Sequence, residues 1–204
     1  MTRERVLLAT LVAFITVGGC GGAGDGGGAE APAAGAAETA AAAADDGEIM
    51  ALDDVKASQS GSVWQEVANT SITVTYDRPV ARGRELFGGI VAFGEIWNPG
   101  ANDATAIAVS RDVTINGNAL PAGKYSLWAI PDPNRWTMIF SREADVYHTP
   151  YPGEEHDALR LMVSPRLGEH METLALYFAA VEKKDAELRL HWGDTYVPLS
   201  ITVP

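Results

Sequence analysis

From Val63 onward, apolar residues recur at every second position in short runs separated by turn residues, the period of strands that bury one face. Ile72, Val74 and Tyr76 alternate with Thr73 and Thr75, whereas Thr105 to Val109 is apolar on both faces, as in a central strand. Val113-Thr114-Ile115 runs into Asn116-Gly117, a pair that tolerates positive φ and predicts a tight hairpin turn. Tyr125 to Ile130 and Trp136 to Phe140 flank a loop over Pro131 to Asn134. Leu159, Leu161 and Val163 make one further face, and Leu174, Leu176 and Phe178 another. Leu188, Leu190 and Trp192 alternate with Glu187, Arg189 and His191, which places His191 on a polar face. Val197, Leu199, Ile201 and Val203 close the chain, and Pro198, which donates no ladder hydrogen bond, predicts an edge position. About nine or ten strands and no long helix predict an all-β fold, an antiparallel β-sandwich of two packed sheets.

One segment departs from the alternation. Between Asp77 and Asn102 five glycines punctuate the chain, yet Leu86, Phe87, Ile90, Val91, Phe93, Ile96 and Trp97 are too apolar for a solvated loop. The pattern predicts a compact loop excursion, with room for one helical turn, folded over an edge or end of the sandwich. Loops of this length inside a small domain usually carry function or are disordered, and seven large apolar residues argue against disorder.

The first residues read differently. Arg3 and Arg5 precede an apolar run of 12 residues, Val6 to Val17, which ends in Gly18-Gly19-Cys20. That is the layout of a lipoprotein signal peptide over 1–19, too short to span a bilayer, with Cys20 as the site of lipidation. Residues 20–57 then form a Gly- and Ala-rich acidic linker with eight acids against Lys56 alone. It has too little apolar surface to offset its ordering entropy, so it is expected to be disordered. The folded domain is expected over 58–204. The formal charge of −12 is spread over linker and domain with no basic stripe, so nucleic acid is not an expected partner. Membrane attachment is expected through the N-terminal lipid, because an anionic lipid surface repels an acidic chain. Gly21 lacks the aspartate that retains many lipoproteins at the inner membrane, which favours the outer membrane. The one cysteine excludes a disulfide within the chain.

A series of ordered motifs carries a resemblance. Tyr76-Asp77-Arg78-Pro79, Arg82-Gly83-Arg84-Glu85-Leu86-Phe87-Gly88 and Ile96-Trp97-Asn98-Pro99-Gly100-Ala101-Asn102 come first. Asp112 to Gly117 and Leu120 to Leu127 follow in order. Together they resemble the bacterial domain-of-unknown-function family 2911, over nearly all of 58–204. The resemblance implies an exported bacterial protein and implies no activity. Where the family is expected to read Trp-Arg-Thr-Gly-Ala-Asn, this chain has Trp97-Asn98-Pro99-Gly100-Ala101-Asn102, so a ligand contact by that arginine is not carried over.

Three sets of residues are candidates for chemistry. Arg78, Arg82 and Arg84 lie beside Asp77 and Glu85 and upstream of Asn98 and Asn102. Guanidinium groups grip carboxylates and phosphates bidentately, so these residues, with Trp97 as an apolar wall, are candidates for an anion or polar-ligand pocket. The alternative is that arginine–carboxylate ties pin the excursion to the sandwich. His148, His156, His170 and His191 could supply imidazoles for a metal site, with Glu154, Glu155, Asp157 and Glu172 as carboxylates, and His148 and His156, which bracket a Pro- and Gly-containing loop, are its weak candidates. Neither His-Glu-x-x-His nor a close His-x-His pair occurs, so they also read as surface histidines and no cofactor is expected. Gly-x-Ser-x-Gly and Ser-x-x-Lys are absent. Trp64, Trp128, Trp136 and Trp192 fall at strand positions and read as core or sheet-face residues, although an exposed tryptophan on a sandwich suits stacking on sugar rings.

The preferred reading is a non-catalytic, lipid-anchored envelope domain facing the periplasm or the exterior. It binds a small molecule, a glycan or an envelope protein through the excursion and neighbouring loops. The runner-up is an envelope hydrolase or metal-dependent enzyme using histidine and carboxylate groups at the 147–157 rim; a purely structural envelope component is the third. A binding module is expected to show an apolar, arginine-edged pocket near Trp97. An enzyme is expected to hold His148 or His156 within reach of a carboxylate inside a cleft.

Overall fold

The computed structural model describes residues 57–204. The expected signal peptide, the lipidation of Cys20 and the linker up to residue 56 lie outside the described residues. The alternating pattern becomes ten strands in two antiparallel sheets, so the chain is an all-β sandwich. The larger sheet runs β1 (Gln59–Val67), β2 (Thr70–Arg78), β3 (Ala106–Val109), β6 (Gly123–Ile130), β7 (Trp136–Ser141), β8 (Asp157–Val163). The smaller runs β5 (Asn118–Leu120), β4 (Val113–Ile115), β10 (Asp185–Thr202), β9 (Arg166–Glu182). Among the described residues no helix is long and apolar enough to cross a membrane.

The one-sided strands explain the layering. Ile72, Val74, Ile107, Leu127 and Phe140 of the larger sheet share one buried core with Ile115, Leu174, Leu188, Leu199 and Ile201 of the smaller. Each such side chain stabilises the fold by about 1.5–3 kcal/mol when fully buried. Two bonds cross between the sheets: Tyr76 Oη donates to the Leu176 carbonyl at 3.2 Å, and Arg78 Nε to that of Leu174 at 3.3 Å. Asn116 (φ 48°) and Gly117 (φ 79°) form the expected turn between β4 and β5. A smaller cluster of Ala104, Trp128 and Ile139 lies on the outer side of β6 and β7, where Val146 and Tyr151 pack onto it from the β7–β8 connection.

Three sequence expectations change. Pro198 does not mark an edge, because β10 is an interior strand between β4 and β9. Its missing N–H is harmless because residues paired to β9 end at Tyr196 and those paired to β4 begin at Ile201. His191 keeps its polar-face position yet is buried, 5% exposed, with Tyr177 and Tyr196 beside it. The excursion contains no helical turn; the one short 3-10 turn of the 142–156 connection, Glu154–His156, lies elsewhere.

The excursion is instead held by pairing at both ends. Residues leaving β2 join β9, with Ala81 N donating to the Glu172 carbonyl at 2.7 Å and Leu174 N to that of Pro79 at 2.9 Å. Residues returning to β3 join β6, with Trp97 and Ala129 exchanging two backbone bonds of 2.8 Å. Between them Leu86 and Val91 are buried. Leu86 requires a glycine opposite: a Cβ on Gly193 (φ +58°) would stand 2.8 Å from Leu86 Cδ1. Gly193 lies among the register shifts that bend β10 between His191 and Thr195, so a bulge in the sheet makes room for the excursion.

Candidate functional site

The excursion and two neighbouring connections enclose an apolar cleft of about 260 Å³ at one end of the sandwich. Phe87 and Phe93 come from the excursion, Pro133 and Trp136 from the β6–β7 connection and the start of β7, and Pro165, Arg166 and Leu167 from the turn into β9. Phe87 stands at the centre of an aromatic cluster. Its ring meets Trp136 edge to face at 4.7 Å between centroids and Trp97 at 6.0 Å, while Trp97 stacks on Trp192 at 6.1 Å and 15°. Edge-to-face and offset contacts of this kind add about 0.5–1.5 kcal/mol each beyond area burial, so the cleft has rigid walls.

The rim is exposed. Leu167 is 84% exposed and Phe93 41%, both held out by local geometry. Leu167 pairs with Thr195 on the far side of the β10 bulges, and Phe93 closes over Gly88, where a Cβ would stand 2.8 Å from its ring. Arg166 is exposed at the mouth and its guanidinium has no ion pair or hydrogen bond among the described residues. Asp132 lies on the opposite rim, where its carboxylate accepts the Asn134 N–H at 3.0 Å.

The sequence candidates separate into three places. Trp97 belongs to the aromatic cluster behind the cleft. Arg78, Arg82 and Arg84 lie on the β9 side, and two of them are spent on backbone carbonyls, Arg78 on Leu174 and Arg84 on Val80 and Ala81 at 2.7 and 2.9 Å, whereas the exposed Arg82 guanidinium has no hydrogen bond or ion pair among the described residues. Arg82 offers its own N–H to Glu172 Oε1 at 2.6 Å. Asn98 and Asn102 face the other way. Asn98 is 1% exposed; its Nδ2 donates to the Leu127 carbonyl at 2.8 Å and its Oδ1 accepts Thr105 N–H at 3.1 Å. Asn102 Nδ2 donates to Asp77 Oδ2 at 2.6 Å. Arg166 was missed in the sequence because no pattern links it to residues 70–80 positions earlier.

The histidines do not converge. His148 Nδ1 donates to the Asn102 carbonyl at 2.7 Å. His156 Nδ1 lies 3.3 Å from Glu143 Oε1 in an open depression lined also by Tyr147, Thr149 and two prolines. Both members of that pair are well solvated, 39% and 50% exposed. A third histidine has two carboxylate partners. His170 on β9 holds Asp194 at 2.8 Å and Glu172 at 3.1 Å. The Glu172 and Asp194 carboxylates raise the His170 pKa, and the His170 ring and the Arg82 N–H lower that of Glu172. Among the described residues no group of three or more His, Cys, Asp or Glu is arranged to hold a metal ion.

No curated protein and no solved structure matches the chain. The family model described as "Protein of unknown function (DUF2911)" matches residues 58–201. This is the whole of the sandwich apart from its last residues, and the chain belongs to that family.

Proposed function

We propose that this protein is a lipid-anchored, non-catalytic binding module of the bacterial cell envelope that takes a small amphipathic molecule. The apolar body lies against Phe93, Trp136 and Leu167, and an anionic end meets Arg166. The observation that carries the reading is the apolar cleft bordered by an unpaired arginine and backed by the cluster that contains Trp97. Ligand sites are concave and mostly apolar, with a few polar groups that orient the ligand. Its 260 Å³ suits a molecule of one or two rings and lies just below the ~300–1,000 Å³ usual for ligand pockets. The envelope placement rests on the Arg3–Arg5 start, the apolar run and Cys20. In this reading the acyl groups hold the chain at the membrane, the outer one where Gly21 governs sorting.

Calorimetric titration of the full chain with 2-naphthoate, a flat apolar anion, tests this. Saturable binding is expected, weakened about tenfold in Arg166→Ala, which corresponds to about 1.4 kcal/mol, and lost in Leu167→Asp. Both positions are exposed, so the thermal midpoint is expected to hold. Absence of saturable binding, or equal binding by both variants, rejects the cleft as a ligand site.

A further inference from the structure

The outer face of the larger sheet is divided. Its β6–β7 part is covered by Val146 and Tyr151 over Trp128 and Ile139, whereas its β1–β3 part carries no covering segment among the described residues. The registers set what faces outward there: Ser60, Ser62 and Trp64 on β1, opposite Asp77, Thr75 and Thr73 on β2, with Ala106 and Ala108 beside them on β3. Small and hydroxyl-bearing side chains make a low, polar floor. Two adjoining hollows of about 380 and 440 Å³ lie on it, sharing Thr75, Asp103 and Ala104. The residues 103–104 and 146–147 that wall them are tied by the Ala104 N–H to Val146 carbonyl bond of 2.9 Å and a bridge between Asp103 and Tyr147.

Trp64 is the unusual residue of this face. Tryptophan is highly buried on average, yet Trp64 is 58% exposed. Its indole N–H donates to Ser71 Oγ on the neighbouring strand at 2.7 Å, which draws the ring across the β1–β2 pair. The polar handle is used up, and the rest of the exposed ring has no hydrogen-bonding group to offer a ligand, only apolar and π surface. Trp64 follows Ser62 by two residues, about 7 Å along the strand, and its ring leans further from the trough toward Ser71, which pairs with Glu66, so a ligand that touches both must span more than one sugar ring.

The trough is built to accept hydrogen bonds. Asp77, 5% exposed, is locked by Ser60 Oγ at 2.5 Å and Asn102 Nδ2 at 2.6 Å, one donor to each oxygen. Each oxygen keeps a second lone pair. The Asp103 carboxylate has no hydrogen bond or ion pair among the described residues, and Lys124 pairs with Asp145. Three carboxylates against one ammonium repel anionic polymers and headgroups. They favour a neutral ligand rich in hydroxyl donors, whose polarised C–H faces also suit the negative face of an indole.

The geometry points to a second binding surface, for a neutral oligosaccharide laid along the outer face of β1, β2 and β3, with one sugar ring on Trp64 and hydroxyls donated to Asp77 and Asp103. It is independent of the proposed cleft. Affinity electrophoresis of the full chain through gels containing hydroxyethylcellulose, mixed-linkage β-glucan, mannan or glycol chitin tests it, with alginate as the anionic control and calcium titrated alone. Retardation is expected in at least one neutral polysaccharide and none in alginate. At least a tenfold loss is expected in Trp64→Ala and in Asp103→Asn, with binding retained in Trp64→Phe and in the cleft variant Leu167→Asp. Retardation by no neutral polysaccharide, or retardation untouched by Trp64→Ala and Asp103→Asn, overturns the proposal. Saturable calcium binding without retardation overturns it in favour of a cation site.

Discussion

Asn98 shows how much one polar side chain holds in place. Buried at the foot of the excursion, it bonds the Leu127 carbonyl and the Thr105 N–H while Thr105 Oγ1 closes on the Pro99 carbonyl at 2.7 Å. Truncation leaves a buried donor and a buried acceptor unpaired, each costing about 1–3 kcal/mol. Asn98→Ala is therefore expected to lower unfolding free energy by about 2–6 kcal/mol, seen as a lower urea midpoint at unchanged slope. Arg84→Ala removes bonds to the Val80 and Ala81 carbonyls in an exposed stretch, and a loss below about 1 kcal/mol is expected. An Asn98→Ala midpoint equal to wild type would show that the two strands do not depend on this clamp. The residue type was visible in the sequence. Its role was not, because its partners lie 7 and 29 residues further along the chain. His191 gives the opposite case: a ring buried with Nδ1 against Tyr177 Oη at 3.1 Å and Nε2 without a hydrogen-bond partner among the described residues.

The β9–β10 ribbon is where the excursion is most exposed to pH. His170 bridges Asp194 of β10 and Glu172 of β9, and Glu172 also receives the Arg82 N–H. The raised pKa of His170 contributes stability that is whole below its unfolded value of 6.5 and fades as pH climbs through the raised folded value. The lowered pKa of Glu172 contributes stability that is whole above 4.5 and fades as pH falls through its depressed folded value. Both are fully in force between pH 4.5 and 6.5. The thermal midpoint of wild type relative to His170→Gln is expected to be highest in that window and to shrink toward pH 8; a constant difference across the range would remove the ion cluster from the account. These groups are solvated, so the effect is small and screened by salt. Strand periods at this scale were legible from alternation alone. The joining of Asp185 to Thr202 into one strand was not, since bulges at His191 to Thr195 shift the inward face without leaving an apolar gap.

For the whole molecule, the proposal joins an acidic sandwich domain to a lipid anchor. Acidic charge opposes adsorption to anionic lipid, so the proposed attachment is through Cys20. Cys20→Ser is expected to move the protein from the membrane pellet to the soluble fraction, or to leave it as an uncleaved precursor. Wild type is expected to carry a diacylglycerol-derived mass at a new N-terminus. A wild-type chain with Met1 and a free thiol would end the envelope reading. The two surfaces lie on different parts of the domain, the cleft at the end closed by the excursion and the trough on the outer sheet face, so each can be disabled without the other.

Period-two alternation, turn pairs such as Asn116-Gly117 and the glycine-broken apolar run at 77–102 were enough to determine a sandwich with a packed excursion, because burial of one-sided strands is a local property of the chain. The convergence of Phe93, Trp136, Arg166 and Leu167, the outward position of Trp64 and the burial of His191 were decided only in three dimensions. Alternation says that a strand has two faces, but which face meets the other sheet, which is covered by a loop and which meets water depends on partners distant in sequence. Those contacts leave no periodic trace in the chain.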